Sequence, residues 1–250
     1  LIWVILINLT FASVMKKLIT IFLLFGSTIY GQGLFEFFKL TADDDNPEKF
    51  DRIVVDINFN NWLNAPPGIS QKLYSVGGSF YWYKDIPLGE KSNIALAYGI
   101  GLDYHSVHSN GAVQYDVDGE GSSFTNLTPI KLPSGYTINK VAFKYVDVPL
   151  ELRFRTMNRS KEERRKFNFK LYLGFKAGYL IGNNTKYRDN ENKVKVYRIQ
   201  NTLPYRYGPT VRIGFNNIAF NAFYSLTPIF ENGKGVELIP FSIGFSWMRF

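Results

Sequence analysis

The chain has 250 residues, a length that fits one all-β domain with short extras. Hydrophobic residues make up 46% and aromatic residues 17%, yet the mean hydropathy is no higher than that of a soluble protein. This excludes a bundle of membrane helices but not a membrane barrel, half of whose strand residues face a polar lumen.

The absence of cysteine excludes structural disulfides, thiolate metal sites and a lipidated cysteine at the mature N-terminus. Much of the positive charge behind the formal net +8 sits in two runs that read as turns or loops. The first holds Arg159, Lys161, Arg164, Arg165 and Lys166; the second holds Lys186, Arg188, Lys193, Lys195 and Arg198. No basic helix with a groove-reading pattern accompanies them, so nucleic acid is not an expected partner.

In chain order, Met15-Lys16-Lys17 opens a basic region, residues 18–25 are apolar, and Gly26, Ser27, Thr28 and Gly31 are small. This is the pattern of an export signal cleaved before Gln32, although Ile29 stands where a small residue is preferred. Residues 1–14 read as an upstream extension of the reading frame. A single membrane helix through residues 1–29 is the alternative, and Lys16 and Lys17 near its middle count against it. Residues 32–50 show no strand alternation and read as a short periplasmic lead-in, leaving residues 51–250 as the barrel domain.

Period-two alternation, the mark of a strand between two environments, organises the rest. The clearest case is residues 93–105, where Ile94, Leu96, Tyr98, Ile100, Leu102 and Tyr104 share one face. Asn93, Ala95, Ala97, Gly99, Gly101, Asp103 and His105 share the other. The run lasts about a dozen residues, close to what a tilted strand needs to cross a bilayer. Similar patterns over residues 52–62, 141–155, 167–182, 205–215 and 237–249, with weaker ones over 74–84 and 218–226, predict eight antiparallel strands closed into a transmembrane barrel.

Connection lengths agree with that reading. The links over 85–92, 156–166 and 216–217 are short or strongly charged, whereas two of the others, over 106–140 and 183–204, are long. Short periplasmic turns and long outer loops are the outer-membrane pattern. Tyr98, Tyr104, Tyr179, Tyr205, Tyr207 and Trp247 lie toward strand ends on the outward face, as an interfacial girdle would.

If the apolar faces meet lipid, a polar network fills the lumen: Asp56, Asp103, Asp147 and Glu151 with Arg153, Arg155, Lys170, Lys176, Arg206 and Arg212. Inward glycines such as Gly101 and Gly178 make room for the long side chains, and no wide channel is expected. Asp103 and His105, with Ser106 and Ser109 nearby, are the one arrangement suggesting hydrolase or acyltransferase chemistry. No second acid or oxyanion donor is identifiable, so the expectation is no catalytic residue, no metal site and no cofactor. A soluble lipocalin-like binder is a further alternative, and it predicts large residues facing inward. The loop over 106–140 reads equally as a mobile surface loop or as a binding loop for a partner.

The Met15 signal, the segment Tyr145-Val-Asp-Val-Pro-Leu-Glu-Leu-Arg-Phe154 and the closing Pro240-Phe-Ser-Ile-Gly-Phe-Ser-Trp-Met-Arg-Phe250 together resemble the small outer-membrane β-barrel family of Bacteroidota, to which PorT-like proteins belong. The resemblance implies an outer-membrane location, outer-membrane lipid around the barrel, and contact with the barrel-assembly machinery during biogenesis. An envelope protein partner is a further expectation; a role in type IX secretion is not carried over. Phe250 resembles the C-terminal signal read by that machinery, although it is out of phase with Trp247, Phe245 and Ile243.

Overall fold

The computed structural model describes residues 51–88, 93–117, 119, 121–130, 136–156 and 169–249. The export signal, the lead-in, the first basic run and Phe250 lie outside the described residues.

The described residues form strands β1 (Ile53–Leu63), β2 (Val76–Pro87), β3 (Ile94–His108), β4 (Gly111–Val117), β5 (Ser123–Pro129), β6 (Ile138–Arg155), β7 (Phe169–Arg188), β8 (Lys193–Tyr197), β9 (Tyr205–Phe215), β10 (Ile218–Tyr224) and β11 (Ile239–Arg249). Eight of them close a ring in the order β1-β2-β3-β6-β7-β9-β10-β11, every neighbour antiparallel, with β11 back against β1. A closed ring leaves no unpaired strand edge in the hydrocarbon, which is the condition for sheet to span a membrane.

The alternation sorts side chains to the two faces as the patterns predicted. Ile57, Phe59, Ile100, Leu102, Val148, Leu150, Leu173, Ile213, Phe220 and Phe245 lie exposed on the outside. Their chain neighbours point inward and are buried. A lipocalin-like interior is thereby overturned, because the bulky apolar groups line the exterior and charges line the axis.

Three connections differ from their sequence reading. Strand β2 runs on to Pro87, so Asp85, expected in a turn, points into the lumen. The 106–140 segment is not an open loop: β3 continues to His108, β6 begins at Ile138, and β4 and β5 pair as a separate hairpin. Likewise β7 extends to Arg188 and pairs with β8, so Lys186, Arg188, Lys193 and Lys195 stand on strands. The upper pieces lie beyond the apolar belt, where no lipid-facing wall writes a sustained two-sided pattern into the sequence, although their inner faces supply Val107, Leu127 and Val141 to a buried apolar cluster.

Strand β7 also carries a bulge. Pairing steps from Lys144↔Gly182 to Tyr145↔Leu180, leaving Ile181 as the extra residue. Beyond it, even-numbered positions of β7 face outward, whereas below it odd-numbered ones do. At the opposite end, Asn216 takes φ 52° in the two-residue β9–β10 turn, a left-handed conformation that asparagine tolerates.

Candidate functional site

The lumen is the polar face of every barrel strand turned inward. Its buried charges are Asp51, Asp56, Asp85, Asp103, Asp147 and Glu151 against Arg153, Arg155, Lys170, Lys176, Arg206 and Arg212, six of each sign among the described residues. The signs are segregated along the chain. Asp51 and strands β1 to β3 contribute four carboxylates, β6 contributes two of each sign, and β7 and β9 contribute four cations. One wall is acidic and the other basic, and the ion pairs run across the interior between them.

Three tiers follow from strand position. Nearest the chain ends of the barrel, Arg153 reaches Asp85 at 2.7 Å and Glu151 at 2.8 Å. Arg155 reaches Asp85 at 2.5 Å, and Lys170 reaches Asp51 at 2.9 Å. The Tyr172 hydroxyl donates to Asp51 and accepts from Arg155 Nε at 2.6 Å. In the next tier Arg212 bridges Asp56 at 2.7 Å and Glu151, and the Tyr83 hydroxyl donates to Glu151 at 2.7 Å. In the third, Arg206 lies 2.6 Å from Asp103 and 3.0 Å from Asp147, and Lys176 lies 3.1 Å from Asp147. Tyr81 donates to Asp147 at 3.0 Å, and Ser79 donates to Asp103.

Aromatic rings sit between the tiers. The Arg153 guanidinium lies 4.1 Å from the Tyr83 ring centre, and that of Arg206 lies 3.8 Å from the Tyr145 ring centre. Guanidinium stacking on ring faces adds attraction in a desolvated interior. Glycines set the available width: a Cβ at Gly101 would strike the Tyr81 ring, and one at Gly178 would strike the Asp147 carboxylate.

The structure places all ten sequence-selected charges in this interior. Sequence reading missed Asp51 and Asp85, which lie beyond the alternating segments it delimited, and the hydroxyls of Tyr81, Tyr83 and Tyr172. For Asp51 and Asp85 the signal was the strand phase extended by one residue; Tyr81, Tyr83 and Tyr172 stand at inward positions inside the delimited segments, where the phase itself marked them.

Above the charges the lumen turns apolar. Trp62, Val107, Leu127, Val141, Phe143, Tyr145, Ile199, Ile229, Phe230 and Leu238 form one buried cluster, drawn from upper strand ends, β5 and the connections before β9 and β11. Backbone bonds hold these connections together. Thr125 N–H donates to Lys234 O at 2.9 Å, Leu203 N–H to Ile229 O at 2.8 Å, and Glu231 N–H to Asn201 O at 2.8 Å. Asn110 accepts from Ser70 N–H at 2.7 Å, and its amide donates to Gly68 O at 2.9 Å. The Gln71 amide bonds both the N–H and the carbonyl of Trp62, each at 2.8 Å, as a neighbouring strand would. The outer connections are therefore a packed cap.

His105 is buried with Nδ1 3.5 Å from Ser242 Oγ, and on β6 it faces Phe143 of the apolar cluster. Asp103 is taken up by Arg206 and Ser79. Ser106 lies on the opposite face of β3, and Ser109 Oγ accepts the Gly111 N–H at 3.1 Å. The four residues are thus not brought together as nucleophile, base and orienting acid.

The sequence model of the family described as "Outer membrane protein beta-barrel domain" matches residues 52–231. Among solved structures, the chain is similar to the crystal structure of Ail, the attachment invasion locus protein of Yersinia pestis. That match has 10% identity and a TM-score of 0.27, over 79% of this chain and 96% of the other. Comparison with curated proteins gave no match.

Proposed function

The chain belongs to the outer-membrane β-barrel domain family and resides in the outer membrane, and from that premise we propose a sealed, non-enzymatic barrel whose outer cap binds a partner or serves a secretion or envelope accessory role. The observation that carries this reading is the double closure of the interior. Balanced ion pairs fill the lumen, and an apolar cluster shuts its outer end. A pore needs the first removed, and an enzyme needs a substrate path to His105. What is left facing the surroundings is the ordered cap, with Tyr115 and Phe124 exposed on the β4–β5 hairpin. Residues 15–31 serve as its export signal in this reading, and the likeness of segments 145–154 and 240–250 to PorT-like proteins supports an accessory role of that kind.

The test is photo-crosslinking in living cells from a reactive residue placed at Tyr115 or Phe124, with lipid-facing Phe245 as control. The expected result is a protein adduct at the cap positions that is missing at Phe245. No adduct from any cap position would remove the binding role. Loss of a lipase, acyltransferase or protease activity in the His105→Ala variant would instead favour the hydrolase alternative.

A further inference from the structure

Charge is balanced inside the barrel but not on one part of its outer surface. On β3, β6, β7 and β8, beyond the apolar belt, strand register sets His108 opposite Lys140, Lys140 opposite Lys186, and Lys186 opposite Lys195. Directly opposed residues share a face with Cβ atoms about 5 Å apart, and like charges so placed repel. Arg188 and Lys193 form a second opposed pair, and Lys144 stands on the same outward face of β6, four residues from Lys140. Outward positions of these strand ends carry six cations and no carboxylate, and none of the six pairs with a carboxylate among the described residues.

Below this patch lies a shallow groove on the lipid-facing wall. Its floor is opened by Gly78, its sides are Ile57, Phe80 and Leu102, and Tyr104 and Lys144 stand at its upper end. Gly78, Tyr104, Lys144 and Gly182 share one cross-strand row, so small residues flank the tyrosine–lysine pair on both sides. The Lys140 amine donates to the Tyr104 hydroxyl at 3.1 Å, and the Lys195 amine lies 4.5 Å from the Tyr197 ring centre. Tyrosine and lysine together at the end of an apolar wall are groups that settle at the headgroup level of a bilayer.

We propose that this face binds a phosphorylated lipid of the outer leaflet. Its phosphates would sit among Lys140, Lys144, Lys186 and Lys195, and an acyl chain would lie in the Gly78 groove. Two observations select a lipid over a soluble anion: the cations continue the outward face of the apolar belt, and the groove beneath them is apolar. The proposal rests on the outer-membrane reading above, since it needs that wall in lipid and the cap outside.

The test uses the full chain refolded into phosphatidylcholine nanodiscs doped with bisphosphorylated lipid A or with the same lipid dephosphorylated. Native mass spectrometry reads the lipid retained, and gel mobility with and without heating reads the folded barrel. The wild type should retain the phosphorylated lipid in preference by about tenfold or more, since each cation near an anionic surface is worth roughly fivefold. A Lys140→Gln/Lys144→Gln/Lys186→Gln/Lys195→Gln variant should fold normally and lose the preference. The corresponding four-arginine variant should keep it. Equal retention of both lipids by the wild type, or an unchanged preference in the glutamine variant, overturns the proposal. So does thermal stabilisation by inorganic phosphate in pure phosphatidylcholine that matches the lipid A effect. Failure of the wild type to fold in any nanodisc would count instead against the barrel reading itself.

Discussion

Replacing Arg212 by methionine would leave Asp56 buried without the cation that reaches it at 2.7 Å, while Glu151 would keep Arg153 at 2.8 Å. Removing one member of a buried ion pair costs about 3–5 kcal/mol, because the other member keeps its desolvation penalty. The expected loss is therefore about 3–5 kcal/mol. Adding Asp56→Asn to Arg212→Met removes the stranded charge and should recover about 2 kcal/mol, as neutral replacement of a buried pair is far cheaper than breaking it. Equilibrium urea unfolding in lipid vesicles, followed by tryptophan fluorescence and by heat-dependent gel mobility, measures both variants. A single variant within about 1 kcal/mol of wild type, or a double variant no more stable than the single, would refute the claim that lumen charges are held by mutual neutralisation.

Other consequences can be checked by the same unfolding assay. Phe245 is exposed on the outside opposite Ile57, so Phe245→Arg should cost about 2–4 kcal/mol in lipid while Phe245→Leu stays near wild type. Phe143 anchors the apolar cap, so Phe143→Ala should cost about 3–5 kcal/mol, and limited proteolysis should then cut the outer connections first. At Gly178, valine would collide with Asp147 and Arg206, and the overpacking should cost about 1–3 kcal/mol. If Gly178→Val were neutral, the lumen would be looser than its contacts imply.

The barrel strands were legible because a membrane wall writes two environments into every second residue. Residues 205–215 and β9 coincide, and 94–104 already displays the outward face of β3. Where the chain leaves the apolar belt the writing stops. The β4–β5 hairpin shows no alternation of apolar and polar residue types because neither face is in lipid, although β5 buries Thr125 and Leu127 on one side, and β8 has all five residues exposed. Lumen charges were legible as a set through the same alternation, but their partners were not. Arg212 meets Asp56 across 156 positions of sequence, a pairing that only ring closure creates. Asp51 was hidden for another reason: it precedes the first alternating residue and enters the network because Lys170, Tyr172 and Arg155 reach down to it.

The segregation of signs along the chain bears on how such a wall is built. A growing sheet made of Asp51 and β1 to β3 alone would show four uncompensated carboxylates on its concave side, and β6 adds nothing to the balance. Arg153 and Arg155 of β6 take up Asp85, and relief for Asp51, Asp56 and Asp103 arrives with Lys170, Lys176, Arg206 and Arg212 from β7 and β9, which curl round to face those acids. A half-finished sheet is thus poorly suited to bare hydrocarbon, and curling the sheet into the ring is what brings these acids and cations together. Such a charge pattern favours insertion together with closure over insertion of an open sheet.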